Sequence, residues 1–549
     1  MKMSQISASD ANLTPLVQAM LRAETYPEHP HAPEFHQTHI SQVFLAGDFV
    51  YKIKKPVRFP FLDASTLGRR RQFCLDEVRL NRRLAPEVYL GIVPIFQRQG
   101  HFSLGPVLSD STEAAANVAE WAVKMRRLPE STMLDRMVTS GAVSVAQIRA
   151  IAARLAAFHR AAAADHAWRY GAAASIWCLV RGNLEEVARD CAGMFAQTEL
   201  EELERFARAT IDLRWRLLNQ RALGGRVCEG HGDLRCEHVS LGSDGIAIID
   251  CVEFSEGLRY VDVASDVGFL AMDLDRLGAC ALADELVGAY REAAADADLP
   301  LLIPLYKLHR ALVRAKVESL TSGDSAIDPT RRASAADMAR RYIALALEYA
   351  RVSRPAMIVV CGLSGSGKST VARRLADRTG FEWLRSDEVR KRLAGVAPVA
   401  RLSRDCAAGG DARGAYSPEF TRKTYGTLLD EAAARLAEGA GVIVDATFGA
   451  PAFREQARAV AARAKRQLLF VECVAGHHEI VRRLTERARR ADEVSDAGVA
   501  TYMRQRAEFV ALDEIPRFCH LLANTEKGLD RVISAITDRL AHSDPRRVH

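Results

Sequence analysis

Residues 362–369 read GLSGSGKS. Glycines at Gly362, Gly365 and Gly367 let the main chain turn where a β-carbon would obstruct it. The amides of Ser364, Ser366 and their neighbours can then close around a phosphate at the positive end of a helix. Lys368 would reach the β- and γ-phosphates, Ser369 would offer a hydroxyl to magnesium, and Thr370 continues the first helical turn. A second constellation stands earlier, at His231-Gly232-Asp233 with Arg235 and His238. Its spacing is that of HxDxxxxN, in which the Asp receives the proton of an acceptor hydroxyl and the last residue holds a metal ion. Both patterns suit phosphoryl transfer, where positioning and charge neutralisation carry most of the chemistry.

Each constellation has supporting residues at plausible distances along the chain. In FVYKIKK, period two puts Val50, Lys52 and Lys54 on one strand face, and either lysine could reach phosphates with Glu77 as its ion-pair partner. Apolar IAII ends in Asp250, placed as a metal-holding carboxylate, and Arg235 could meet the transferred phosphate. His238 departs from the asparagine pattern, and magnesium prefers oxygen ligands. Three outcomes stay open: Asp250 with Glu253 holds the metal, manganese substitutes, or the segment binds nucleotide without turnover. Behind the glycine-rich loop, LRSDEVRKRL and VIVDATF bring Asp387 and Asp445 to strand ends. Asp445 suits a carboxylate behind the metal, and Asp387 could take a hydroxyl proton; a Ser-Asp helix cap is also compatible with that sequence. Arg487 and Arg490 would share a helical face, either as a lid over the γ-phosphate or as a solvated arginine face.

These residues need elements to hold them. Residues 1–37 read as a leader carrying an apolar helical patch near Leu16 to Leu21. VFLAGDFVYKIKK predicts a hairpin about Gly47-Asp48, RRRQFCLDEVRLNRRL a helix and YLGIVPIF a strand, together a small β-rich lobe. From about 112 to 225 the alanine-rich text is helix-periodic, and more helices are expected from about 260 to 350, with 319–330 the most loop-like interval. Val352-Ser353-Arg354-Pro355 marks a domain boundary. Beyond it MIVV, FEWLRS, GVIVDATF, LLFVECV and FCHLLANT alternate with helices, which argues for a parallel sheet wrapped by helices. The expected segments are 1–37, 38–351 and 355–545.

The chain has 549 residues, 48% apolar and 26% charged, which suits several globular units rather than disorder. A net charge of +6 with both signs interspersed names no partner, and short arginine clusters read as solvated helix faces. The N-terminus lacks a signal-length apolar core and no run approaches a membrane span. Eleven cysteines without a CxxC pair suit free thiols, so a cytoplasmic protein without membrane partners is expected.

Residues 36–345 resemble the aminoglycoside phosphotransferase-like branch of the kinase fold, through HGD, the strand lysine, Glu77 and Asp250. That resemblance implies a two-lobed domain lacking a glycine-rich GxGxxG loop, with Thr38-His39-Ile40-Ser41 over the phosphates instead. It also implies that Asp262 or Asp266 buttresses the catalytic loop. Residues 355–540 resemble small P-loop kinases of the gluconate kinase and zeta toxin kind, which implies a base role for Asp387 and acceptor contact for Arg390. The joined pair is similar to bacterial proteins described as bifunctional aminoglycoside phosphotransferase/ATP-binding proteins. VFLAGDFVYKIKKPVRFPFLD, RLNRRLAPEVYLGIVPI and HGDLRCEH carry that likeness. The fold expected is thus α/β and α+β multidomain, a kinase-like front followed by a parallel α/β sandwich. The function expected is ATP- and magnesium-dependent phosphorylation of a small-molecule hydroxyl. Two other readings stand beside it: a nucleic-acid end kinase or toxin-like nucleotide-sugar kinase, and a P-loop kinase regulated by a catalytically weak ATP-binding front.

Overall fold

The structure, a computed structural model, describes residues 4–5 and 14–542 apart from 39, 60–61, 109–116, 165, 326, 398–416 and 488–497. It divides into two compact units, Met1–Ile176 with Arg216–Asp296, and Trp177–Trp215 with Ala297–His549. The helices after Ala297 therefore group with the C-terminal sheet, and the expected boundary at 352–355 falls inside the second unit.

In the first unit, strands β1 (Ser4–Gln5), β2 (Glu34–Gln37), β3 (Ser41–Ala46), β4 (Phe49–Lys54), β7 (Tyr89–Arg98), β8 (His101–Leu104) and β9 (Val118–Arg126) form one antiparallel sheet. β5 (Arg58–Phe59) and β6 (Leu62–Asp63) pair separately. The sheet order is β1-β2-β3-β4-β9-β7-β8. Gly47, at φ +62°, supplies the left-handed residue of the two-residue turn between β3 and β4. The leader is part of this lobe: Val17, Met20, Tyr26 and Phe35 are buried with Phe44 and Tyr51. β9 corrects the helical reading of 112–225, for VAEWAVKMR is a strand between β4 and β7. Trp121, Ala122 and Val123 are all buried, so no alternation survives to separate a strand from a helix. The helix Leu67–Asn81, capped by Thr66, packs Cys74 and Val78 against Trp121 and Val123.

Below the sheet, β10 (Val227–Glu229) pairs with β13 (Tyr260–Asp262), and β11 (Val239–Gly242) with β12 (Gly245–Ile248). The helix Val145–Ala161 starts with a capping box from Ser144 and Gln147. The helix Val263–Arg276 is buried on nearly every side, from Val263 to Leu274.

In the second unit, β14 (Ala356–Cys361), β15 (Glu382–Arg385), β16 (Val442–Asp445), β17 (Gln467–Val474) and β18 (His520–Asn524) form a wholly parallel sheet, as their apolar runs predict. The order is β15-β16-β14-β17-β18. One face buries Val371, Ala372 and Leu375 of the helix Lys368–Thr379 with Val532, Ile533 and Ile536 of the last helix. The other buries Leu428, Leu429 and Ala432 of Pro418–Ala437 with Ala457 and Val460 of Pro451–Arg463. Each fully buried valine, leucine or isoleucine among them contributes roughly 1.5–3 kcal/mol. Gly380, at φ +70°, ends the helix Lys368–Thr379, and a β-carbon there would meet Pro304 at 3.2 Å. The interval 319–330 is less loop-like than its composition predicts, because the helix Ile303–Gly323 runs into it. Among the described residues no helix is long and apolar enough to cross a membrane, and the described cysteines are free.

Candidate active sites

The front site is built where β4 faces the helix Leu67–Asn81. Glu77 is wholly buried and pairs with both strand lysines, Lys52 at 2.8 Å and Lys54 at 2.5 Å. Lys52 also reaches Asp250 at 2.6 Å, and Lys54 bonds Glu253. Both strand lysines thus contact one carboxylate, and of the two it is Lys52 that also bridges to Asp250. Burial works against the charge on Lys52, but the carboxylates of Asp250 and Glu77 outweigh it and hold the ammonium well above its usual range. The same lysine, against the cost of burial, keeps the Asp250 carboxyl well below the ordinary carboxylate value. Asp250 itself sits at φ +66°, a conformation that costs an L residue energy. Its amide donates to the Tyr89 hydroxyl at 3.1 Å, and the next amide to Asn81 Oδ1 at 2.9 Å.

The loop at 231–238 hangs from the buried helix Val263–Arg276. Asp266 accepts the amides of His231 at 2.7 Å and Gly232 at 2.9 Å. Asp262 instead caps that helix and pairs with Arg221 at 2.8 Å, so of the two aspartates it is Asp266 that holds the loop. Asp273 accepts the Cys236 amide at 2.9 Å, fixing the far end of the same loop. That residue was not foreseen, although Asp266 and Asp273 stand two helical turns apart on one face, a signal legible in VASDVGFLAMDLD. Gly232, at φ +82°, leaves no room for a β-carbon, which would lie 2.7 Å from the Leu258 carbonyl. Arg235 binds both oxygens of Asp233, at 3.1 and 3.2 Å, and also bonds Glu237. His238 Nδ1 lies 2.7 Å from the Asp233 carbonyl and Nε2 lies 3.5 Å from Asp250. Thr38 Oγ1 accepts the Ser41 amide at 2.9 Å in a tight turn, while His39 lies outside the described residues.

The rear site lies at the carboxyl edge of the parallel sheet, the edge where open α/β sheets bind ligands. Gly362, Gly365 and Gly367 all have positive φ, at +125°, +82° and +93°. A β-carbon on Gly362 would stand 2.3 Å from the Cys473 carbonyl of β17, so only glycine fits there. Ser364 and Ser366 are buried in the loop, and Lys368 opens the following helix with Ser369 and Thr370 exposed in its first turn. Lys368 Nζ donates to the Leu363 carbonyl at 2.9 Å. Asp445 ends β16 beside Val360 of β14 and accepts a hydrogen bond from Ser369. Burial raises its carboxyl above the usual value although the Lys368 ammonium opposes this. Asp387 lies in the first turn of the helix Ser386–Leu393, two residues past the end of β15; Arg385, not the Ser-Asp pair, occupies the cap position. Arg390, on the same helix, is buried and reaches Thr421 Oγ1 at 3.5 Å. Arg487 closes the helix His477–Arg487; Arg490 lies outside the described residues.

Three rear residues escaped the sequence reading. Thr525 donates to the Ser366 carbonyl at 2.8 Å and accepts from Arg483 at 2.8 Å. Gln505 accepts the Ser364 amide at 2.9 Å and reaches Thr447 at 3.4 Å. They come from elements more than a hundred residues downstream of the loop, and no local spacing announces them. Among the described residues no three His, Cys, Asp or Glu side chains gather as a metal site. The Ser369 hydroxyl and Asp445 carboxylate are oxygen donors nonetheless, which fits a hard ion such as magnesium bound chiefly by phosphates and water.

Two protein-family models match the chain. A model of the Phosphotransferase enzyme family matches residues 67–301, and an AAA domain model matches residues 357–512. The uncharacterized protein Rv2004c of Mycobacterium tuberculosis is 32% identical over 479 residues, 85% of this chain and 89% of that protein. Among solved structures, the amicoumacin kinase hAmiN in complex with AMP-PNP, Ca2+ and Ami is 14% identical with a TM-score of 0.36, covering 60% of this chain and 92% of that one. A sugar kinase from Janibacter sp. HTCC2649 is 20% identical with a TM-score of 0.26, covering 34% of this chain and 94% of that one.

Proposed function

We propose, for a chain that belongs to one family with the Mycobacterium tuberculosis protein and joins a phosphotransferase domain to a P-loop kinase domain, that it phosphorylates a hydroxyl of a small molecule. The chain is an ATP-dependent phosphotransferase. Transfer belongs to the rear centre in this proposal, and the observation that carries it is the loop of three left-handed glycines with Lys368 at the head of its helix and Asp445 bonded to Ser369.

In this reading the amides of 364–370 and the Lys368 ammonium grip the β- and γ-phosphates. Asp387, at the neighbouring strand end, takes the acceptor's hydroxyl proton as that oxygen attacks the γ-phosphorus. Arg390 orients the acceptor, and Arg487 with Arg490 offsets charge on the transferred group. A magnesium ion beside Ser369 and Asp445 would supply further neutralisation of the phosphates. The front unit, within 38–351, binds a second ATP: Lys52, held by Glu77, meets its phosphates with Lys54 close by, Asp250 faces the metal, Asp233 faces the acceptor, and Arg235 faces the transferred phosphate. Residues 355–545 carry the rear kinase in this reading, and 1–37 is a leader whose described residues Val17, Met20, Tyr26 and Phe35 pack in the front lobe.

The test is labelled ATP offered with a metabolite extract to the wild type, Lys368→Ala and Asp233→Ala. Lys368→Ala should abolish most transfer, and unchanged turnover would remove the rear site from the account. Asp233→Ala combined with Lys368→Ala should abolish whatever remains; a product formed by the double variant would require a third centre.

A further inference from the structure

Two hydrogen bonds fix the protonation of His238 without appeal to its titration. Nδ1 lies 2.7 Å from the Asp233 main-chain oxygen, which can only accept, so Nδ1 carries hydrogen. Nε2 lies 3.1 Å from Arg235 Nη2, which can only donate, so Nε2 presents its lone pair to the guanidinium. The ring is neutral and both nitrogens are engaged. An asparagine in this place would turn a carbonyl oxygen toward a metal ion; here the corresponding lone pair is already satisfied by a cation belonging to the chain.

That cation is well held. Arg235 is 5% exposed and is gripped by both oxygens of Asp233, by Glu237 and by His238. The ring that accepts from it also stands 3.5 Å from Asp250 Oδ2, whose other oxygen carries Lys52 at 2.6 Å. The charges gathered at this site thus include two fixed side-chain cations on four carboxylates, Glu77, Asp250, Asp233 and Glu237.

We propose that in the front site the Arg235 guanidinium, locked by His238, Asp233 and Glu237, stands in for one divalent ion, so that nucleotide binds there with a single metal at Asp250. The chemistry is that of a charge clamp. Four of the five guanidinium N–H groups are spent on Asp233, Glu237 and His238, so one remains for a phosphate oxygen; the cation needs no dehydration and stays charged at every working pH. The proposal rests on the reading of this unit as an ATP-binding phosphotransferase.

The discriminating measurement counts Mn2+ bound per chain, from the free-ion paramagnetic resonance signal, at saturating AMP-PNP. Lys368→Ala serves as the parent chain, and differences between chains cancel any residual rear binding. Arg235→Ala should raise the count by one, because it frees Nε2 to share an ion with Asp250 across the 3.5 Å gap. Arg235→Met, which fills the same buried space without a donor, should do likewise. His238→Ala should leave the parent count unchanged, and adding it to Arg235→Ala should remove the gain. A count that drops in His238→Ala would make His238 a metal ligand and overturn the proposal, as would no gain in both Arg235 variants. Loss of one ion in Asp250→Ala is expected; if Asp250→Ala leaves the count unchanged and nucleotide no longer protects the front unit against heat, the ATP-binding reading itself falls and the proposal with it.

Discussion

Asp266 shows how one side chain sets a loop. Its carboxylate receives two main-chain amides and a hydrogen bond from His159 at 3.2 Å. Burial works against its charge, and these donors outweigh burial, holding its pKa down to about 2. A depressed carboxyl adds stability that is complete above the unfolded value near 3.9 and is lost as pH falls toward about 2. Asp266→Asn turns an NH2 toward a donor it cannot satisfy, and should destabilise the first unit by about 3 kcal/mol in chemical unfolding at pH 7. The variant should also lose the part of the acid transition between those two values that Asp266 causes. At the rear, Asp387→Asn should lower kcat by about 100-fold or more while leaving ATP affinity intact, whereas Lys368→Ala should weaken the affinity itself. A fall in melting temperature with unchanged kcat would reduce Asp387 to a first-turn acid of its helix.

Among the elements, the phosphate loop depends on how closely β14 and β17 approach. Gly362→Ala places a methyl 2.3 Å from a β17 carbonyl at φ +125° and must push the strands apart. A loss of about 2–4 kcal/mol in thermal unfolding, with ATP binding lost, is expected. Gly426→Ala is the contrasting case: it lies within the helix Pro418–Ala437 with nothing within 4 Å of the new methyl, and should be neutral or stabilising by about 0.5–1 kcal/mol. Equal effects in the two variants would remove steric closeness as the reason for glycine at 362. Most of the rear strands were legible because each holds a short apolar run, such as MIVV, VIV or LLFV, punctuated by polar and turn residues. β9 was not, because a strand buried on both faces carries no period of two and its alanines favour a helical reading.

Across the whole molecule, buried histidines make both units sensitive to acid. His231 and His238 in the first unit and His309 in the second have depressed pKa values, caused first by burial; those of His238 and His309 fall to about 3. Unfolding lets each take up a proton below about pH 6.5, so the contribution is complete above that value and is lost as pH falls toward the folded one. Each can remove up to about 1.4 kcal/mol per pH unit in that window. Calorimetric melting temperatures of both units should therefore drop between pH 7 and 5, more steeply for the first, and His309→Gln should flatten the slope of the second. A melting profile flat over that range would contradict the buried neutral state. The chemistry of the chain was determined by contiguous residues. GLSGSGKS after an apolar strand and HGD before another each bring their groups together within one turn, so spacing alone specifies them. Which of two aspartates holds the front loop, how two lysines divide between Glu77, Asp250 and Glu253, and that Arg235 takes the lone pair of His238 were decided only by the tertiary structure. Those outcomes depend on hydrogen-bond directions and burial, often set by partners far apart in the chain, and no local pattern records them.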